Sequence, residues 1–163
     1  MTNIHYIHGD IIKLEVDAIV NAANHSLMGG GGVDGSIHKA AGWDLRKACN
    51  KIREKEEYKD GLPTGEAVIT PGFLLPSKYV IHTVGPIWKD GNNNEEELLS
   101  NCYWNSLKLA EENGIKSIAF PAISTGAYGF PKDLASEIAH NTVKEYIKRK
   151  IQIEDIYFIE YSE

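Results

Sequence analysis

Val16-Asp17-Ala18-Ile19-Val20-Asn21-Ala22-Ala23-Asn24-His25-Ser26-Leu27-Met28-Gly29-Gly30-Gly31-Gly32-Val33-Asp34-Gly35 begins as a strand and ends as something else. Ala18-Ile19-Val20 is continuously apolar, as expected of a strand covered on both faces. After Asn21 the apolar run stops, and four consecutive glycines follow. Such a run is costly in chain entropy, so a turn that does nothing is the less economical reading. Glycine also lets the backbone take positive φ and approach a ligand closely.

A second stretch repeats the pattern. Ile118-Ala119-Phe120 is again a buried-looking strand, and Pro121-Ala122-Ile123-Ser124-Thr125-Gly126-Ala127-Tyr128-Gly129-Phe130-Pro131 leaves its end. Both loops run from the carboxyl end of a strand into a helix, and in open α/β sheets ligands bind at that edge.

Around these two segments, short β-branched runs alternate with longer amphipathic ones, which predicts an α/β layered fold. Strands are expected at 4–8, 18–21, 66–70, 79–83, 117–120 and 156–161. Helices are expected at 44–55, 95–113 and 132–150, with a short one near 36–41. Leu99, Cys102, Tyr103, Ser106 and Ala110 recur at helical spacing, as do Ala135, Ile138, Ala139, Thr142 and Tyr146. Both stripes read as core. Gly114 sits where a C-terminal cap belongs, and Pro131 suits the start of the last helix.

The 163 residues fit one domain spanning 1–163, with no repeat or linker dividing it. No apolar run approaches the roughly 20 residues that cross a bilayer, and the N-terminus lacks a secretory signal pattern. Cys49 and Cys102 belong to no C-x-x-C pair, so neither a disulfide framework nor structural zinc is expected, and a reducing cytoplasm is the default setting. The net charge of −6 argues against nucleic acid as the main partner. It leaves room for a small anion, because neither loop contains Lys or Arg: phosphate held there would be held by N–H groups and helix N-termini.

Gly30-x-Gly32-x-x-Gly35 matches the dinucleotide fingerprint in letters. The fingerprint needs its first glycine directly after the strand and an acid ending the next strand. Here some eight residues intervene after Asn21, and Glu54, Glu56 and Glu57 lie in a charged helical run. No Gly-Lys-Ser or Gly-Lys-Thr occurs, which excludes a P-loop.

Asp10 follows Gly9 at the end of the first strand, on the same expected edge. Alone it reads as a cap or turn residue. Asn24 and Asp34 read alone as turn residues, His38 as a structural histidine, and Tyr161 as a strand-end tyrosine. His38 lies one helical turn after Asp34, on the same face.

Taken together these segments resemble the macrodomain family, most closely its MacroD-type branch of ADP-ribosyl hydrolases. The resemblance runs through Gly9-Asp10-Ile11, residues 16–24, residues 29–38, Pro63-Thr64-Gly65-Glu66-Ala67, Tyr79-Val80-Ile81-His82-Thr83-Val84-Gly85-Pro86 and residues 117–131. It implies a three-layer α/β/α fold with a mixed central sheet. It implies that Asp10 bonds the adenine amino group with the Ile11 backbone nearby, and that an aromatic at Tyr161 stacks on adenine. By the same resemblance Ser124, Thr125, Gly126, Ala127 and Tyr128 wrap the diphosphate from one side, and Gly31, Gly32 and Val33 from the other. Asn24 would hold the distal ribose, with Phe130 near it. Asp34 would activate or orient a water attacking the distal ribose, sharing that role with a substrate phosphate oxygen, and His38 would orient Asp34 or the ribose.

No histidine–cysteine set has ligand spacing, so neither metal nor cofactor is implied, unlike the zinc-dependent branch. There are departures: Ile12 stands where threonine is usual, Ala127 replaces a common valine, and many relatives add a helix after Tyr161-Ser162-Glu163. The expected activity is metal-independent hydrolysis of ADP-ribose from mono-ADP-ribosylated acidic residues, or deacetylation of O-acetyl-ADP-ribose, by a monomer. A non-catalytic ADP-ribose reader is the alternative, and Asp34 with His38 favours the enzyme.

Overall fold

The computed structural model describes residues 1–162. Strands β1 (Asn3–Gly9), β2 (Ala18–Ala23), β3 (Ala67–Pro71), β4 (Tyr79–Val84), β5 (Ser117–Phe120) and β6 (Asp155–Tyr161) form one sheet in the order β1-β6-β5-β2-β4-β3. All neighbours pair in parallel except β3, which pairs antiparallel with β4, so the sheet is mixed. Helices α1 (Gly32–Ala41) and α2 (Trp43–Arg53) cover one face, and α3 (Glu95–Glu112) and α4 (Lys132–Ile147) the other. This is the expected three-layer α/β/α arrangement. No helix among the described residues is long and apolar enough to cross a membrane.

The period of two along a strand sorts the core. Ala18 and Val20 pack toward α3 and α4, with Ile81, Ile118 and Phe120. Ile19 and Ala23 pack toward α1 and α2, with Val80, Val84, Ile37 and Leu45. The helical stripes read from sequence fill these layers: Leu99, Cys102, Tyr103, Ser106 and Ala110 are buried in α3, and Ala135, Ala139, Thr142 and Tyr146 in α4.

Several boundaries differ from the sequence expectation, each for a local reason. The short helix begins at Gly32 rather than Ser36. Glycine is a poor helix former, which hides this start in the sequence; burial of Ile37 and Ala41 sustains the helix. Helix α2 ends at Arg53, and residues 56–58 form a separate 3₁₀ turn. Helix α4 ends at Ile147, and Pro131 is its N-cap rather than its first helical residue. Ahead of α3, the buried Glu95 carboxylate accepts backbone N–H bonds from Lys89, Asp90, Gly91 and Asn93. Burial alone would raise this carboxyl; the N–H groups hold it down to about 2.

Candidate active site

The topology brings the two loops together. Strands β2 and β5 are adjacent and parallel, with Ala18 opposite Ile118 and Ile19 opposite Ala119. Their carboxyl ends therefore release residues 24–31 and 121–131 side by side. Strands β1 and β6 end on the same edge, where Gly9 lies opposite Tyr161 and Ser162 N–H bonds to Gly9 C=O at 2.9 Å. The cleft between these ends, about 690 Å³, is lined by Gly9, Ile11, Val33, Thr125, Gly126 and Tyr161. Residues read separately from sequence thus share one cavity. Tyr161 is 69% exposed and can face a planar group. Asp10 also does what an ordinary turn residue does: its carboxylate accepts the Ile12 N–H at 3.2 Å.

The cleft offers unpaired N–H groups on both sides. Helix α1 has no side-chain cap, and its first turn begins in the glycine run. The amides of Gly32 and Val33 therefore lack intrahelical partners and carry the positive end of the helix dipole. In the second loop Ser124 is held at φ +67° with its Oγ buried and, among the described residues, unpartnered. A positive φ in a non-glycine residue is a strained conformation, and strain of this kind clusters at ligand sites. A Cβ on Gly31 or Gly126 would meet nothing within 4 Å, so both backbones face open space.

Phe130 and Tyr128, both expected at the ligand, also have other surroundings. The Phe130 ring is only 2% exposed and packs against Trp88 at 4.8 Å, so it supports the second loop from beneath. Tyr128 lines a smaller cavity of about 240 Å³ with His25, Thr64, Gly85 and Pro86. Ala127 is exposed on the same loop.

Behind the glycine run lies a polar group the loops do not advertise. Asp34 is in the first turn of α1 and is 5% exposed. The Asn21 side-chain amide donates to Asp34 Oδ1 at 2.8 Å. His38 Nε2 stands 3.4 Å from the same oxygen, too far for a well-formed hydrogen bond. Oδ2 is turned the other way. It and Asn24 Nδ2 each lie 3.3 Å from where a Gly30 Cβ would stand, so carboxylate and amide flank one exposed glycine. Asn24 is itself fixed, donating to Gly29 C=O at 3.0 Å and accepting from Ser26 Oγ at 2.7 Å.

Burial pushes the Asp34 carboxyl above its ordinary value, opposed by the Asn21 bond and by His38. Burial likewise lowers His38, with Asp34 opposing and Arg46 adding to the fall. Burial thus works toward the neutral form of each partner, and each partner's charge works against it.

Sequence reasoning singled out Asn24, Asp34 and His38, and the structure gathers them within one helical turn and one loop. It missed Asn21, His82 and Thr70. Asn21 Nδ2 also lies 3.1 Å from His82 Nδ1, and His82 Nε2 lies 3.0 Å from Thr70 Oγ1. The signal was present as strand parity, since these three polar residues share the face of Ile19, Val80 and Val68, toward α1 and α2.

The Macro domain family model matches residues 20–139, and the chain belongs to the macrodomain family. A protein of Escherichia fergusonii named O-acetyl-ADP-ribose deacetylase is 59% identical over 162 residues, 99% of this chain and 90% of that protein. One of the same name from Escherichia coli strain K12 is 56% identical with the same coverage. A variant of the Oceanobacillus iheyensis macrodomain solved with ADPR matches with a TM-score of 0.91 at 48% identity, covering 97% of this chain and 84% of that one.

Proposed function

We propose that the chain is an ADP-ribose-binding hydrolase of the O-acetyl-ADP-ribose deacetylase type, acting on esters of ADP-ribose that include mono-ADP-ribosylated acidic side chains. The observation that carries this reading is the buried Asp34 carboxylate, with one oxygen held from below and the other directed at the glycine run beside the Asn24 amide. A protein that only bound ADP-ribose would gain nothing from burying an ionised acid there, since burial of a charge is costly. Names borne by relatives at 56–59% identity support the same activity.

In this mechanism the N–H groups of Gly31, Gly32 and Val33 and those of residues 124–127 hold the diphosphate without a cation. Asp10, the Ile11 backbone and Tyr161 take the adenine end. Asn24 holds the distal ribose. Asp34 Oδ2 orients a water for attack at the distal ribose and accepts its proton, alone or with a substrate phosphate oxygen, as the carboxylate leaves. Neutral His38 steadies Asp34.

Asp34→Ala tests this. Both backbone cradles survive the change, so ADP-ribose affinity should alter by less than about tenfold. Turnover of O-acetyl-ADP-ribose or an ADP-ribosyl-glutamate peptide should fall by roughly 10²–10⁴. Equal turnover in wild type and variant would move water activation entirely to the substrate phosphate. An inactive wild type that binds ADP-ribose would make the chain a reader.

A further inference from the structure

His82 lies in the middle of β4 and is fully buried. Burial, with His38 adding to it, drives its pKa down to about 3, so the ring is a neutral imidazole with one donor nitrogen and one acceptor. Asn21 decides which is which. Its amide nitrogen already donates to Asp34 Oδ1, and its second proton points at His82 Nδ1. Nδ1 must therefore be the acceptor and Nε2 the N–H, donating to Thr70 Oγ1. Asn21 and His82 are register partners across β2 and β4, and Thr70 reaches them from β3, so three strands hold this chain of bonds.

The order of donors has a consequence for Asp34. Were the Asn21 amide reversed, its carbonyl oxygen would face both the lone pair of His82 Nδ1 and the Asp34 carboxylate. The Asp34 carboxylate already disfavours that orientation, and the His82 Nδ1 lone pair, in the tautomer whose Nε2–H meets Thr70, disfavours it further. We propose that His82 is a positioning residue for the hydrolysis: it helps hold Asn21 as a donor, which holds Asp34 as an oriented carboxylate with Oδ2 directed at the glycine run. The effect on turnover rests on the hydrolase reading above; the effect on Asp34 does not. The other groups facing Asp34 are His38 on its own helix, Cys49 on α2 and, through His38, Arg46. None of them supplies a hydrogen bond equivalent to that of Asn21.

The test titrates the Asp34 carboxyl carbon by NMR and measures kcat and KM in the same proteins. His82→Leu removes the acceptor at similar volume. His82→Asn keeps an acceptor oxygen near the position of Nδ1. Thr70→Val leaves His82 in place but removes the partner of Nε2–H, freeing the ring to take the other tautomer. The Asp34 titration should move upward in His82→Leu, upward by less in Thr70→Val, and stay near wild type in His82→Asn. In step with it, kcat should fall by about ten- to a hundredfold in His82→Leu, with the acid limb of its pH profile shifted upward and KM little changed. His82→Asn should recover most of that loss.

If His82→Leu does not fold, Thr70→Val and His82→Asn still separate the outcomes. An Asp34 titration that is unmoved in every folded variant lacking the acceptor or its Thr70 support overturns the proposal, as does a loss of kcat that His82→Asn fails to rescue. A wild type without turnover, whose Asp34 titration nevertheless moves as described, would sink the hydrolase reading and leave the positioning role standing.

Discussion

Gly35 joins the helix carrying Asp34 to the loop in front of it, and Gly35→Ala probes that junction without changing any functional group. A Cβ built on Gly35 stands 2.4 Å from the Gly30 carbonyl oxygen, well inside contact distance and against backbone rather than a mobile side chain. The glycine run and the first turns of α1 must then separate by about 1 Å to restore ordinary packing. Gly30 is the residue flanked by Asn24 Nδ2 and Asp34 Oδ2, so this displacement falls where the water and distal ribose are to be aligned. Misplacement of about that size costs roughly a hundredfold in rate. Stability suffers less. Overpacking costs about 1–3 kcal/mol, and replacing a helical glycine by alanine returns about 1 kcal/mol. For a chain of this length, the remaining loss lowers Tm by no more than about 8 °C. Thermal unfolding, calorimetry with ADP-ribose and single-turnover hydrolysis should therefore show a folded protein, affinity weakened by about tenfold, and kcat down by about 10². A folded variant with kcat within threefold of wild type would mean that the seat of the loop on α1 does not set the reacting geometry, and the roles given to Asn24 and Asp34 would lose their structural basis.

Asp10→Ala should weaken ADP-ribose binding by about ten- to a hundredfold, since a hydrogen bond to a charged group in a partly desolvated pocket is worth roughly 1.5–3 kcal/mol. Asp10 also caps the 3₁₀ turn through Ile12, so Asp10→Asn, which keeps the cap, separates the two roles: calorimetry on Asn and Ala variants binding like wild type would remove Asp10 from the adenine site. Burial raises the Asp34 carboxyl above its unfolded value, so this group adds stability when protonated and loses it as pH rises through the folded pKa. Asp34→Asn should therefore gain in Tm relative to wild type as pH rises above the ordinary carboxyl value of about 4, and a gap independent of pH would show that burial does not penalise the Asp34 charge.

Much of the fold could be read from the chain because its strands are short, apolar and separated by amphipathic helices. The two glycine-containing loops stood out for the opposite reason: glycines and polar residues there make no sense as packing. What escaped was whatever required knowing which strands are neighbours. Asn21, His82 and Thr70 each look like an isolated polar interruption of a strand. Only the β2–β4–β3 pairing places them in one row beneath Asp34. The start of α1 escaped because Gly32 and Gly35 are poor helix formers, although that start turns Asp34 from a loop residue into one aligned by a helix. The resemblance put Phe130 near the distal ribose; what it did not announce is that the ring is buried against Trp88.

These omissions share a physical origin. A run of four glycines can approach a ligand closely because it has no side chains, and for the same reason it cannot fix itself in place. Rigidity has to come from what lies under it. Here it comes from bonds that do not reach the cleft: Asn24 to Gly29 C=O, Asn21 to Asp34, and His82 and Thr70 behind Asn21. The centre of the sheet is stiff, since β2 and β4 each pair on both sides and are buried on both faces. A polar row inside it costs desolvation unless its groups find partners; each side-chain nitrogen of Asn21 and His82 does, while Asn21 Oδ1 stays buried without one among the described residues. The glycine run can thus stay soft while the Asp34 carboxylate behind it is held from the sheet.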